Sequence, residues 1–204
     1  MLDYNIISSS SRGNAVRIEG IMIDCGVAFS DMKEDLYKCH SLLITHAHSD
    51  HLKINTLRQI NSQFPWIKVY GNPPVAYKTW VYEVIGTESF TLDDGTIVTP
   101  FEAVHDVPTV GFMMKKGDID ILYVTDTAEV NIPKGSRFDY FFIESNYDEN
   151  KIREAAKKYK SGRYDPVDST YRHLSTQQAK GVYYSHRKSK DSAFIELHKS
   201  SRFY

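Results

Sequence analysis

The chain has 204 residues, of which 41% are hydrophobic and 25% are charged. These values are typical of one globular domain with a sizeable core, and we assign residues 1–204 to it. The net charge of −1 excludes a strongly basic nucleic-acid binder, and no apolar run approaches the roughly 18 residues of a membrane span. Residues 1–15 lack the basic and apolar regions of a signal peptide, and the two cysteines match neither a disulfide framework nor a Cys-x-x-Cys metal motif. We therefore expect a cytoplasmic protein.

Short apolar segments dominate the first half of the chain. Two of them meet at Gly20, and a third, SLLITH, is a run of consecutive apolar residues typical of a buried strand. A proline pair, Pro73-Pro74, marks the start of a helix. The predicted elements are strands at 14–20, 21–26, 41–46 and 67–72, a helix at 54–64, and a turn and helix at 72–85.

The second half begins with two hairpin signals. Asp94-Gly95 lies between two strand-like segments in residues 89–105 and predicts a hairpin. A turn at 116–118 lies between two strand-like segments in residues 110–127 and predicts a second hairpin. Helical periodicity appears only later in the chain. The elements predicted after the hairpins are a strand at 139–146 and helices at 150–160 and 175–186. The order of elements predicts an α/β fold.

The segment ITHAHSDH, residues 44–51, holds three of the eight histidines of the chain. Its spacing, His46-x-His48-x-Asp50-His51, places alternate side chains on the same side of an extended segment. A polar turn after a buried strand would explain one histidine but not three. We interpret this histidine loop as a source of metal ligands.

Further polar residues stand at the ends of other predicted segments, where side chains can converge on one edge of a sheet. Imidazole and carboxylate groups suit zinc, manganese or iron. Asp126 stands alone at its strand end and is the best candidate for a carboxylate that bridges two metals. The candidate ligands are His46, His48, Asp50, His51, His105, Asp126 and His186.

This pattern resembles the metallo-β-lactamase fold superfamily over nearly the whole chain. The resemblance implies an αββα sandwich with two divalent ions, Zn²⁺ or Mn²⁺, which polarise a shared hydroxide as nucleophile. It assigns the first metal to His46, His48, His105 and Asp126. It assigns the second metal to Asp50, His51, Asp126 and His186.

Smaller motifs separate the branches of that superfamily. SSSSRGNAVRIEG followed by IMIDCG resembles the opening of the YycJ-like exonucleases, and IESNYD resembles their acidic segment. RHLS resembles their GHLS motif and the GHLT motif of RNase Z-like phosphodiesterases. The resemblance implies that Glu144 orients His173 and that His173 protonates the leaving oxygen. The implied catalytic residues are His173, Glu144 and Asp50.

Three departures from the family pattern stand out. Arg172 replaces the glycine before His-Leu-Ser, and the segment after His186 lacks the usual Asn-rich continuation. His186 is therefore the weakest ligand assignment, and His198 is the alternative. Only 21 positions separate His105 from Asp126, which leaves no room for the tRNA-clamping arm of RNase Z enzymes, so tRNA 3′ maturation is not expected.

Several functions remain open at this stage. The first is a dinuclear metal-dependent phosphodiesterase that acts on DNA; the second is a cyclic-nucleotide phosphodiesterase that resembles compact phage enzymes. A lactone or thioester hydrolase and a metal-stabilised interaction module are weaker alternatives. Residues 151–204 carry 13 Lys and Arg against 5 Asp and Glu, which fits either steering of an anionic substrate or a solvated face. No membrane partner is expected, and a homodimer is one alternative for the oligomeric state.

Overall fold

The computed structural model describes residues 1–79, 83–84, 86, 88–158, 170–200 and 204. Within that part the fold is α/β, as predicted, with two six-stranded sheets and five helices. Contacts between Cα atoms divide the chain into two compact units, Met1–Pro100 and Phe101–Tyr204. The assignment of residues 1–204 to a single domain stays a prediction. No helix among the described residues is long and apolar enough to cross a membrane.

The first sheet follows the chain from one edge to the other. Its strands are β1 (Tyr4–Ser10), β2 (Gly13–Ile18), β3 (Ile21–Ile23), β4 (Ser41–Ile44), β5 (Lys68–Gly71) and β6 (Glu83–Val84). The β1–β2 and β2–β3 pairs are antiparallel, and the remaining pairs are parallel. Strands β2 to β5 confirm the strands predicted at 14–20, 21–26, 41–46 and 67–72. The sequence did not predict β1.

Three helices belong to the first unit: α1 (Phe29–Leu36), α2 (Ile54–Gln63) and α3 (Pro73–Thr79). The predicted helix at 54–64 is confirmed as α2. The helix predicted at 72–85 ends at Thr79, and β6 occupies part of its range; residues 80–82 and 85 lie outside the described part. The apolar faces of α1 and α2 contribute Met32, Leu36, Leu57 and Ile60 to a core shared with the buried residues of β3 to β5.

The second sheet has the order β12-β11-β10-β9-β8-β7. Its strands are β7 (Phe90–Thr91), β8 (Ile97–Ala103), β9 (Thr109–Lys116), β10 (Ile119–Val124), β11 (Tyr140–Glu144) and β12 (Ala193–Leu197). Both predicted hairpins are confirmed, and Gly95 and Gly117 take the positive φ angles, 81° and 59°, that their turns require. The strand predicted at 139–146 is confirmed as β11.

Parallel pairing joins β10, β11 and β12. Because parallel strands run in the same direction, the carboxyl ends of these three strands lie on one edge of the sheet. Two helices accompany them: α4 (Glu149–Lys158) and α5 (Thr176–His186). A capping box between Ser175 and Gln178 starts α5 at the predicted place. The helix predicted at 150–160 corresponds to α4, with residues 159 and 160 outside the described part.

Candidate metal centre and catalytic site

The histidine loop begins directly after β4, a strand with all four residues buried. The rings of His46 and His51 are fully buried with centroids 4.1 Å apart, while His48 is half-buried. His46 Nε2 and His48 Nδ1 lie 3.1 Å apart. Two nitrogens that bind one tetrahedral zinc at about 2.0–2.1 Å are roughly 3.3 Å apart, so this pair has the spacing of metal ligands.

Asp50, the predicted carboxylate ligand of the loop, is half-buried, whereas His46 and His51 are fully buried. Its Oδ2 lies 3.8 Å from His51 Nε2. The backbone of the loop is well anchored, because the Asp50 carbonyl accepts a hydrogen bond of 2.7 Å from the Asn14 backbone amide. A Cβ added to Gly26 would lie 1.7 Å from the same carbonyl oxygen. Only glycine therefore permits this approach.

A buried carboxylate, Asp24, supports the loop from the end of β3. Its Oδ2 lies 2.7 Å from His51 Nδ1, and its Oδ1 accepts 2.8 Å and 3.0 Å hydrogen bonds from the amide and hydroxyl of Thr45. Burial raises the pKa of Asp24, and the interactions with His51 and Thr45 offset only part of the rise. The carboxyl holds the His51 ring in one orientation, in the way that carboxylates orient metal-binding histidines.

Asn14 contacts the other nitrogen of the same ring, because Asn14 Nδ2 lies 2.8 Å from His51 Nε2. A metal bound at that nitrogen would have to displace the amide. Sequence reasoning named neither Asp24 nor Asn14 as a site residue. The signal was present for both, since each lies in a motif, IMIDCG or SRGNA, that was used only to identify a branch of the superfamily.

A second group of side chains gathers at the carboxyl ends of β10, β11 and β12. It consists of Asp126, Glu144, His173 and His198, whose possible ligand atoms all lie within 4.8 Å of one another. Asp126 lies two positions after the end of β10, His198 follows β12 directly, and both have positive φ angles, 49° and 52°. Such angles are costly for residues other than glycine and concentrate at functional sites.

Hydrogen bonds connect the members of this group. His173 Nδ1 lies 2.6 Å from Glu144 Oε1, and His198 Nδ1 lies 3.1 Å from the same oxygen. His198 Nδ1 is also 2.9 Å from Asp126 Oδ1. The second Glu144 oxygen accepts a 2.9 Å hydrogen bond from the backbone amide of Thr127, so both ends of this buried carboxylate are held.

The charges of the group depend on one another. Burial by itself raises the pKa of Glu144, but hydrogen bonds from His173 and His198 outweigh it and the pKa lies below its ordinary value. Burial lowers the pKa of both imidazoles, but Glu144 and Asp126 outweigh it, so the pKa of His173 is raised and that of His198 is raised well above the ordinary value. The two carboxylates thus attract positive charge, which a proton or a metal cation can supply.

His105 belongs to the same unit and follows β8. Its ring centroid is 5.9 Å from that of His173, and its Nε2 is 3.0 Å from Asp106 Oδ1. The other oxygen of Asp106 accepts a 3.2 Å hydrogen bond from Arg172, the residue that replaces the family glycine. The departure at position 172 therefore places a cation beside His173.

The structure places His198, the alternative ligand, beside Asp126 and places His186 apart from that group, while the ligand role of either histidine stays a prediction. His186 is the last residue of α5, and its Nδ1 bonds to the Ser136 carbonyl at 3.0 Å instead of joining the Asp126 group. The physical reason is the strand β12, which was not among the strands predicted from the sequence. This strand returns the chain to the edge where β10 and β11 end, so the histidine after it, and not the one before it, reaches Asp126.

The donor types fit a divalent transition metal. The histidine loop offers converging ring nitrogens, and the Asp126 group offers carboxylate oxygens with further imidazoles, which is the ligand chemistry of zinc, manganese and iron. Glu144, held by His173, Thr127 and His198, has the environment of a carboxylate that orients a histidine.

Comparison with known proteins agrees with this chemistry. A family model described as the Beta-lactamase superfamily domain matches residues 20–186. No protein of curated function matches the chain in sequence. Similar solved structures include the metallo-beta-lactamase fold protein YhfI from Bacillus subtilis, with 15% identity, a TM-score of 0.73, and coverage of 98% of this chain and 88% of YhfI.

Two further structures share the fold. Human tRNase Z, short form, is 19% identical with a TM-score of 0.70, and the match covers 98% of this chain and 93% of that one. Zn²⁺-bound PqqB from Methylobacterium extorquens is 13% identical with a TM-score of 0.60, and the match covers 98% of this chain and 88% of PqqB. The predicted metallo-β-lactamase fold is confirmed.

Proposed function

Because the chain belongs to the β-lactamase superfamily, we propose that it is a metal-dependent phosphodiesterase that cleaves DNA. The observation that carries the proposal is the 2.6 Å contact between His173 and the buried Glu144, beside Asp126. A phosphodiester has a poor leaving group, which gains from protonation as the P–O bond breaks. Carboxylic esters and thioesters need this help less, so the pair favours phosphodiester cleavage over a lactonase or thioesterase.

His173 is the general acid in this proposal. Its Nδ1 is engaged by Glu144, so its Nε2 is the nitrogen that can carry a proton to the leaving oxygen. The raised pKa of His173 favours the protonated ring that a general acid needs. Glu144 acts as a positioning residue, because Thr127 and His198 fix its orientation in turn.

The metal ligands in the proposal follow the family assignment with His198 in place of His186. Two divalent ions, Zn²⁺ or Mn²⁺, would supply Lewis acidity and an activated nucleophile. Asp24 fixes the orientation of His51 as a ligand. The proposed ligands are His46, His48, Asp50, His51, His105, Asp126 and His198.

One of the similar structures is a tRNase Z, so the fold accommodates phosphodiesterase chemistry. In the present chain the segment between His105 and Asp126 is occupied by the β9–β10 hairpin with its short turn. A tRNA-clamping arm has no place there. The cyclic-nucleotide phosphodiesterase remains the second candidate, favoured by the modest net charge of −1.

The test is turnover by protein loaded with zinc or with manganese. Hydrolysis of bis-p-nitrophenyl phosphate, followed by degradation of end-labelled DNA, would support the proposal, and RNA and cyclic mononucleotides would be assayed in parallel. Hydrolysis of cyclic mononucleotides without degradation of single- or double-stranded DNA would favour the second candidate. Turnover of lactones or thioesters, with no phosphodiester cleaved under either metal, would refute both.

A further inference from the structure

A surface pocket of about 410 Å³ lies in the first unit, outside the ligands described above. Residues of β1, of the β1–β2 turn and of the start of α1 form its walls, together with Lys53, two positions after His51. Its volume is within the range of about 300–1,000 Å³ that small-molecule sites occupy. The pocket is therefore large enough for one nucleotide unit.

Two cationic residues and one acidic residue line the pocket. The side chains of Arg12 and Lys53 are exposed, and neither forms an ion pair with any residue in the described part of the chain. Asp31 is the acidic residue of the lining, and its carboxylate accepts a 3.1 Å hydrogen bond from the Ser30 hydroxyl. The lining carries a net charge of +1, which favours an anion.

The rest of the wall is partly apolar. Val27 is buried and Ile7 is half-buried, so both present hydrocarbon surface beside the two cations. Ser8 also lines the pocket, and its hydroxyl donates a 2.6 Å hydrogen bond to the Gly13 carbonyl. Cationic groups next to an apolar wall suit a phosphate joined to a sugar and base.

The pocket is tied to the histidine loop by backbone hydrogen bonds. The Cys25 amide donates to the His51 carbonyl at 2.8 Å, and the Lys53 amide donates to the Cys25 carbonyl at 3.2 Å. On the other side, the Asn14 amide, two residues after Arg12, donates to the Asp50 carbonyl. Arg12 and Lys53 thus stand on backbone that is fixed to the same loop as the proposed metal ligands.

We propose that this pocket binds a second phosphate of a polynucleotide, next to the phosphodiester that is cleaved. The proposal rests on the proposed function and specifies its substrate class. A cyclic mononucleotide has a single phosphate, which the metal centre would take, so it gains nothing from Arg12 and Lys53. A polynucleotide carries further phosphates on both sides of the cleaved bond and can use both sites at once.

The test is binding of a fluorescein-labelled oligothymidylate, followed by anisotropy in the presence of EDTA. The variant replaces Arg12→Gln and Lys53→Gln, and the matched control replaces Lys38→Gln and Arg58→Gln, two exposed residues outside the pocket with the same change in charge. The first pair should weaken binding about tenfold or more at low salt. It should also reduce the magnitude of the slope of log affinity against log salt concentration by roughly 0.7 for each phosphate that the protein no longer neutralises.

Binding in EDTA does not require turnover, so this result stands apart from the success or failure of the proposed catalysis. Equal weakening by the two pairs of substitutions would overturn the inference, because it would show a general charge effect. Binding by the wild-type protein that is undetectable, or that the first pair of substitutions leaves unchanged, would also overturn it, since the pocket would then hold no phosphate. Circular dichroism of both variants would establish that they are folded, and Arg12→Lys should retain most of the affinity.

Discussion

Replacing His173 by alanine should separate the general acid from the metal ligands. The ring is held by a 2.6 Å contact with a fully buried carboxylate, so the wild-type protein keeps a proton donor in one orientation without rearrangement. General acids contribute about 10²–10⁴ in rate, which corresponds to roughly 3–5 kcal/mol of transition-state stabilisation. We expect His173→Ala to lose that much on DNA.

The loss should depend on the leaving group. A p-nitrophenolate ion leaves without protonation, so turnover of bis-p-nitrophenyl phosphate should fall far less than cleavage of an oligonucleotide. Glu144→Gln keeps a hydrogen-bonding group beside His173 but removes its charge, and it should cost about 10–100-fold on DNA. The assay is steady-state kinetics on both substrates, with metal content measured by elemental analysis on the same samples.

The control for these measurements is His40→Ala. His40 Nε2 lies 3.3 Å from Asp94 Oδ2, and His40 belongs to neither group of site residues. The His40→Ala variant should retain the metal content and the activity of the wild-type protein. Equal losses on the two substrates after His173→Ala would refute the general-acid role, and a loss of bound metal would show that His173 is a ligand instead.

Three further outcomes follow from the contacts. His198→Ala should lower the metal content of the protein while His186→Ala should leave it unchanged, and elemental analysis showing the reverse would restore His186 as the ligand. Asp24→Ala should lower the free energy of unfolding by about 2–5 kcal/mol, because it leaves His51 and the Thr45 backbone amide without their buried partner. Denaturant titrations measure this change, and a value within about 0.5 kcal/mol, typical of surface substitutions, would contradict the expectation. Burial raises the pKa of the Cys39 thiol to about 12, so almost no thiolate exists at pH 8. Ellman's reagent should therefore react with Cys39 only after the protein unfolds, and rapid reaction of Cys39 in the folded protein would disprove this.

Much of the fold could be predicted from the chain because its inner strands are short buried apolar runs. SLLI in β4 and IMI in β3 are buried at every position, and burial of that kind appears in the sequence as consecutive apolar residues. The strands that were missed lie at sheet edges. β1 has no buried residue and is polar at four of its seven positions, so its apolar signal is weak. β12, with the sequence AFIEL, is apolar at four of its five positions, so the sequence did contain a signal for it.

The histidine loop could be identified from the sequence because its members lie within six positions, where the spacing alone specifies which side chains are neighbours. The grouping of Asp126, Glu144 and His198 depended on tertiary structure. These residues are separated by 18 and 54 positions, and no local pattern links them. They meet because β10, β11 and β12 pair in parallel and end at one edge. Whether His186 or His198 reaches that edge depends on the direction of the last strand, which only long-range pairing determines.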